Sequence, residues 1–486
     1  MISTVDVETA TPDATRPIPL VVDLDGTLIK SDLLIEAVFA HLAQDLTGAV
    51  GIARSMLGGK AALKSMLASK REIDASLLPY DDEVLALIAG AKADGRPVYL
   101  ATASHEIKAA AVAKHLGLFD GVFATSSDHN LSGKNKARVL VEAFGSKGFD
   151  YVGNDAPDLH VWKEAREAHA IRLAPGHRRR LERMGGPVHI VPTAATSRLK
   201  VWLKALRVHQ YAKNTLIFLP LLAGHAFDLH QILAALVAFV TFSAAASAVY
   251  LLNDLMDLEA DRRHPTKSRR PFASGTLSMT SGIAAMILLG LFALGVGALL
   301  SLKYLAVLVG YLVLTTAYSM FIKRKMLIDI VVLALLYTVR VVAGGVAVHV
   351  ALSEWLLTFS LFIFTALALI KRYTELTVRL DAGLADATNR NYRKDDLVVI
   401  GALAAAAGMN AVTVFALYLA SPAVTEVYSR PKFLWAICPL LIYLISRTLL
   451  MAHRRQMHDD PIVFALQDRI CRLAIIAIGV LVVVAI

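Results

Sequence analysis

Residues 251–271 read LLNDLMDLEADRRHPTKSRRP, so that Asn253, Asp254, Asp257 and Asp261 are followed by His264, Lys267 and Arg270. Asn253, Asp257 and Asp261 are spaced by four, which puts them on one face of a helix, and Asp254 flanks that face. The stretch continues directly from an apolar run over residues 231–252. Carboxylates gathered in this way repel each other unless a cation lies between them. Mg²⁺ bridging a diphosphate meets that need, and the basic residues that follow can hold phosphate oxygens. An ordinary solvated loop accounts for the arginines, but not for carboxylates that continue straight out of an apolar helix.

Outward from this stretch, apolar runs of spanning length follow one another. Nine are expected, at about 214–226, 231–252, 281–301, 303–321, 327–349, 355–370, 397–420, 433–450 and 472–486, the first and last being the weakest. With a cytosolic N-terminus, the segments facing the cytosol hold 24 Lys and Arg residues and the opposite loops 3. That asymmetry fits the positive-inside rule and leaves the C-terminus on the outer side. The net charge of +10 over 486 residues is thereby read as membrane orientation, and nucleic acid is not needed to explain it. A hydrophobic fraction of 56% excludes a mostly disordered chain. The two cysteines, Cys438 and Cys471, make neither a metal spacing nor a disulfide framework. The first residues are acidic and lack an apolar core, so a cleaved signal peptide is not expected.

The N-terminal part is different. PLVVD (19–23), PVYLAT (97–102), GVFAT (121–125) and DYVGN (150–154) read as buried parallel strands, with helical patterns such as Glu83–Asp94 and Glu106–Leu116 between them. The alternation predicts a doubly wound, Rossmann-like α/β domain. The expected division is an N-terminus over 1–18, the α/β domain over 19–175 with a helical cap at about 31–78, a linker over 176–200, and an all-α membrane domain over 201–486.

Asp23-Leu24-Asp25-Gly26-Thr27 directly follows the first strand. Two carboxylates two residues apart suit covalent phosphoryl transfer: Asp23 attacks phosphorus, while Asp25 protonates the leaving oxygen and later activates water. Thr102 ends the next strand, where a hydroxyl can bind a phosphate oxygen. Lys136 starts a helix, where an ammonium can neutralise phosphate and nucleophile together; Lys134 competes with it, the spacing to Leu140 favouring Lys136. Asp155 and Asp158 follow a later strand and can complete a Mg²⁺ site with Asp23. Together these resemble the four motifs of the haloacid dehalogenase-like phosphatases, and the insert after the first motif resembles that superfamily's C1-type cap.

The acidic stretch resembles the NDxxDxxxD motif of the UbiA superfamily of intramembrane prenyltransferases, for which nine helices is the usual number. Its wording is closer to the branch that contains decaprenyl-phosphate phosphoribosyltransferase. LRVHQYAKNTLIFLPLLAG (206–224), YSMFIKRKMLIDI (318–330), VRVVAGG (339–345), LIKRYTEL (369–376) and DDPIVFALQDR (459–469) agree with that branch. Many aromatic prenyltransferases of the superfamily carry a second motif, DxxxD, after the sixth helix. Here that region reads Lys371-Arg372-Tyr373-Thr374-Glu375, a basic pair with one carboxylate, which suits an extra phosphate better than a second metal. Arg340 lies mid-helix and is a substrate contact or an interhelix partner. Asp329 lies eleven residues earlier on the same helix. Tyr318 with Lys323, and Lys213 with Asn214, sit at cytosolic helix ends as substrate candidates.

The resemblance implies a bifunctional enzyme of the bacterial cytoplasmic membrane, with the N-terminal domain in the cytosol. Its UbiA-like half would transfer 5-phosphoribose from phosphoribosyl pyrophosphate to a polyprenyl phosphate. Its phosphatase half would then remove the 5-phosphate. Mg²⁺ would serve both sites, and no haem or flavin is expected. The alternative is an aromatic prenyltransferase using a prenyl diphosphate beside an unrelated phosphatase. An ion pump is disfavoured because Asp25 is present and the α/β domain is wholly N-terminal. A phosphatase anchored by an inactive bundle is disfavoured by the intact acidic motif.

Overall fold

The structure is a computed structural model that describes residues 17–44, 51–52, 54–55, 66, 73–126, 131–193, 197–381, 391–457 and 460–486. The chain forms two compact units. The first comprises residues 1–205 and 251–284, so it includes the acidic stretch; the second comprises residues 206–250 and 285–486.

The first unit is built on a six-stranded sheet in the order β3-β2-β1-β4-β5-β6, with every pairing parallel. The strands are β1 Leu20–Val22, β2 Val98–His105, β3 Gly121–Thr125, β4 Asp150–Gly153, β5 Ala168–Ala170 and β6 Val188–Ile190. Leu20 and Val22 point into one buried cluster and Val21 into the other. This is the period-two alternation of a strand whose two faces are both covered. Helices Asp82–Ala93, Glu106–Leu116 and Lys134–Phe144 supply the cover. The strand order reverses at β1, and a crevice therefore opens at the carboxyl ends of β1, β2 and β4, where such sheets bind ligands.

The expected α/β domain is present, and its first four strands lie where the apolar runs place them. The stretch expected to be a linker over 176–200 differs. It carries helix Pro175–Glu182 and β6, so the sheet continues past residue 175. β5 and β6 escaped notice because each is three residues long and contains a histidine, too short for an alternating pattern to register. Within the expected cap, helix Leu33–Gln44 and a 3₁₀ turn at Ala75–Leu77 are seen. Most of the residues between them, and residues 1–16, lie outside the described ones.

The second unit is helical. Among the described residues, seven helices of the chain are long and apolar enough to cross a membrane. They are Leu229–Met256, Met279–Leu300, Leu302–Met320, Ile328–Ala347, Glu354–Asp381, Lys394–Leu419 and Pro431–His453. The two weakest of the nine expected spans differ for stated reasons. The first is a run of 3₁₀ turns over Val208–Phe218 that ends in the short helix Leu219–Ala223. The last, Arg469–Ala485, is apolar but only 17 residues long.

Small residues set the closest packing in this unit. A methyl group at Gly344 would lie 2.0 Å from the backbone carbonyl oxygen of Ile217. Neither backbone can yield cheaply, so Gly344→Ala is expected to cost about 1–3 kcal/mol and to lower the melting midpoint of the detergent-solubilised protein. Gly310→Ala, where nothing lies within 4 Å of the added carbon, should leave the midpoint unchanged.

Candidate functional site

The crevice at the carboxyl end of the sheet gathers most of the phosphatase motif. Asp23 ends β1, and Gly26 makes the turn after it at φ +74°, where an added Cβ would meet the Asn154 side chain at 2.2 Å. Only glycine fits that turn. Lys136 is buried on the first turn of its helix and donates to Asp23 Oδ1 at 2.6 Å and to the Tyr151 hydroxyl at 2.9 Å. Its Nζ also lies 3.8 Å from Asp158 Oδ1. The competing Lys134 makes no such contact with Asp23 among the described interactions.

Asp25 is held from three sides. It accepts from Leu33 N at 2.8 Å, from Ser104 Oγ at 2.6 Å and from Thr102 Oγ1 at 3.3 Å. The Thr102 hydroxyl thus orients the second carboxylate. Burial pushes Asp23 up to about 7, against the pull of Lys136, and Asp25 up to about 6. Burial disfavours the charge on Lys136, but Asp23 and Asp158 outweigh it and hold the ammonium above its ordinary value. A second carboxyl raised toward neutrality, as Asp25 is, suits a general acid that later serves as a base.

Asp158 and Asp155 part company. Asp158 is buried and accepts from Tyr151 at 2.8 Å, from Asn154 N at 2.9 Å and from Asp155 N at 3.1 Å. Asp155 is exposed and accepts from Ala156 N at 2.7 Å. Among the described residues, Asp23, Asp155 and Asp158 do not form a tight three-ligand group. Such a group does occur at Asp150, Glu167 and His169, but there Arg96 and Arg166 already pair with Asp150. Sequence reading missed Tyr151 and Ser104. Tyr151 stands in a strand already identified and Ser104 two residues past the expected end of another, at positions that nothing but the fold turns toward the carboxylates.

The acidic stretch lies in the same unit. The Asp257 amide bonds to Asn253 O at 2.9 Å and the Asp261 amide to Asp257 O at 2.8 Å, so the spacing of four is realised as successive helical turns. Asp254 and Asp261 are buried, and Arg270 Nη1 bridges them at 3.1 and 2.7 Å. Burial pushes the Asp261 carboxyl up, against the pull of Arg270. His264 Nδ1 accepts from the backbone amides of Thr266 and Lys267 at 3.3 and 3.4 Å and so shapes the turn.

The second unit holds its own buried ionic cluster. Asp460 Oδ2 accepts from Lys213 at 2.6 Å, from Lys371 at 3.2 Å and from the Tyr337 hydroxyl at 2.8 Å. Burial, then Lys371, pushes Lys213 down to about 7, whereas the two lysines hold Asp460 far below the usual carboxylate range despite its burial. Arg340 donates from Nε to Asn214 Oδ1 at 2.9 Å and lies over the rings of Phe242, Tyr311 and Tyr337. Two lysines therefore meet one carboxylate, and Arg340 shares the Tyr337 ring with Lys213.

Arg372 does not join this cluster. It is buried between Asp329 and Glu375, with its guanidinium over the Tyr392 ring. Its charge is matched, so the expectation that Lys371 and Arg372 act as a pair gives way to Lys371 alone facing Asp460. Asp329, three turns before Arg340 on one helix, pairs with Arg372 and accepts from Tyr392 at 2.6 Å. Tyr318 ends helix Leu302–Met320, and Lys323 lies in the 3₁₀ turn that follows. Asp460 was missed because one of the three aspartates in DDPIVFALQDR gives no hint of the two distant lysines that close on it.

A doubly wound hydrolase fold with a two-aspartate site and a membrane bundle whose first spanning helix runs into an acidic motif define the class: a two-domain integral membrane enzyme. Residues 214–467 match the UbiA prenyltransferase family and residues 20–161 the haloacid dehalogenase-like hydrolases. The chain belongs to the UbiA prenyltransferase family and carries an N-terminal haloacid dehalogenase-like domain. It is 37% identical to the uncharacterized protein y4nM of Sinorhizobium fredii, over 93% of this chain and 88% of that one. It is 36% identical to the nodulation protein NoeC of Azorhizobium caulinodans, over 57% of this chain and 90% of that one. It is 38% identical to the decaprenyl-phosphate phosphoribosyltransferase of Mycobacterium tuberculosis, over 38% of this chain and 62% of that one.

Proposed function

We propose that the UbiA half transfers 5-phosphoribose from phosphoribosyl pyrophosphate to a polyprenyl phosphate, and that the phosphatase half removes the 5-phosphate from the lipid product. The observation that carries the first reaction is that Lys213 and Lys371 share the single carboxylate of Asp460, with Arg340 beside Lys213 at the Tyr337 ring. Their surplus of positive charge suits a phosphate that a plain prenyl diphosphate does not bring. The similarity to a decaprenyl-phosphate phosphoribosyltransferase supports the same donor.

In this reading the bond between ribose C1 and pyrophosphate breaks while an acceptor phosphate oxygen forms the new bond to C1. Asp254, Asp257, Asp261 and Asn253 offer hard oxygen donors, and Asp254 and Asp261 already hold one cation between them in Arg270. That donor set fits Mg²⁺, which when bound supplies charge neutralisation for the departing pyrophosphate. Lys267 and Arg270 hold its oxygens. In the phosphatase half Asp23 attacks phosphorus, Asp25 gives its proton to the leaving ribose oxygen, and water then releases phosphate from Asp23. Buried Asp23 and exposed Asp155 are the donors that would take Mg²⁺ there. Both reactions face the cytosol of a bacterial cell, and tethering raises the concentration of the second site near the lipid it acts on.

The test is ligand-induced stabilisation of the purified protein. With Mg²⁺, phosphoribosyl pyrophosphate is expected to raise the melting midpoint and a prenyl diphosphate to leave it unchanged. The reverse pattern would replace this reading by that of an aromatic prenyltransferase.

A further inference from the structure

The acidic motif of the transferase and the sheet of the phosphatase fall within one compact unit, and a buried ion pair holds them together. Arg262 directly follows Asp261. Its guanidinium takes both oxygens of Glu36, Nη2 to Oε1 at 2.6 Å and Nη1 to Oε2 at 3.0 Å. Only 6% of the Arg262 side chain and 16% of the Glu36 side chain are exposed. The rest of the guanidinium is also used: Nε donates to Ala273 O at 3.2 Å, and Nη2 reaches Ser31 Oγ at 3.4 Å. A planar fork matched to a carboxylate in this way fixes direction as well as distance.

Other contacts fix the same loop. Gly275 lies against Lys30 so closely that an added Cβ would stand 2.3 Å from Lys30 Cβ, and its φ is +68°. Ser31 Oγ lies 3.5 Å from Met279 Sδ. Arg263 reaches Asp74 at 3.4 Å. Residues 30–36 are themselves tied to the phosphatase site, because Asp25 accepts from Leu33 N and Asp32 caps the same helix at Leu34 N and Ile35 N. A continuous series of contacts thus runs from Asp25 through helix Leu33–Gln44 to Glu36, Arg262 and Asp261.

We propose that Glu36 and Arg262 are positioning residues of the transferase: the phosphatase domain holds the transferase's carboxylate loop in its working shape. The phosphatase is then a structural part of the first reaction as well as the agent of the second. This rests on the reading of Asp254, Asp257 and Asp261 as the diphosphate site. A loop whose carboxylates repel each other needs an outside anchor, and Glu36 supplies it. Glu36 touches no reacting atom in either reaction.

The experiment uses the full chain in detergent and two readouts: pyrophosphate release, with its Mg²⁺ concentration for half-maximal rate, and tryptic cleavage within residues 262–270. Glu36→Arg and Arg262→Glu are each expected to lower pyrophosphate release at least tenfold, to raise the half-maximal Mg²⁺ concentration, and to speed cleavage. The double exchange should recover most of all three. Hydrolysis of p-nitrophenyl phosphate reports whether the N-terminal domain of each variant is folded, and Glu36→Gln serves if Glu36→Arg is not. Single exchanges that leave pyrophosphate release within twofold of the wild type overturn the proposal, as does a double exchange no better than the singles. If the wild type releases no pyrophosphate from any diphosphate donor, it is the transferase reading that fails. The cleavage pattern then decides the anchoring alone, and unchanged cleavage in the single exchanges overturns it.

Discussion

Asp23→Asn is expected to stop the second reaction and leave the lipid product carrying its 5-phosphate. The amide matches the carboxylate in shape but cannot attack phosphorus, and loss of a covalent nucleophile costs at least about 10³-fold in rate. Lys136 keeps two partners after the change, the Tyr151 hydroxyl at 2.9 Å and Asp158 at 3.8 Å, so the domain should stay folded and its melting midpoint should move little. Radiolabelled phosphoribosyl pyrophosphate given with polyprenyl phosphate separates the outcomes. Wild type should accumulate lipid-linked ribose, and the variant lipid-linked phosphoribose, at equal rates of pyrophosphate release. Identical lipid products from the two proteins would show that the phosphatase domain acts on something else.

Most residues of the proposed phosphatase site were legible because they follow an apolar run that becomes a strand. Asp23, Thr102 and Asp158 follow apolar runs, and a parallel sheet brings such ends to one edge whatever lies between them. Lys136 was legible for the same reason, since the helix after β3 must return across the sheet. Tyr151 and Ser104 were not, because a tyrosine or serine inside a strand reads as packing until the neighbouring charges are placed. The membrane half was legible in a different way. The spacing of four from Asn253 to Asp261 and the placement of 24 Lys and Arg residues in alternate inter-helix segments against 3 in the others are local signals that need no tertiary contact. Arg372 marks where that logic runs out. A basic pair at Lys371 and Arg372 reads as one patch, yet neighbours on a helix point about 100° apart. One of them meets Asp460 and the other Asp329. Pairings of residues 43 to 247 positions apart, such as Arg372 with Asp329 and Lys213 with Asp460, carry no pattern in a single sequence.

Asp254→Asn should have the largest effect on the first reaction. Asp254 and Asp261 share Arg270 in this structure, so the loop is already arranged around one cation held between two carboxylates. In the proposed reading Asp254 and Asp261 would hold the divalent ion and Arg270 the phosphate oxygens, so Arg270 would leave the two carboxylates it bridges here. An amide at position 254 weakens both states. It carries no charge where the carboxylate carried a full one, so Arg270 here, and an entering cation, would each lose one of two carboxylate partners. Removing a charged group that meets developing charge in a buried site costs about 10²–10³-fold in rate, and pyrophosphate release should fall by that amount. Raising Mg²⁺ should recover part of the loss, because mass action opposes the weakened site. p-Nitrophenyl phosphate hydrolysis at the Asp23 site should be unchanged. A variant that releases pyrophosphate at the wild-type rate would mean that the acidic stretch is a solvated helix end, and that the diphosphate is held by other residues.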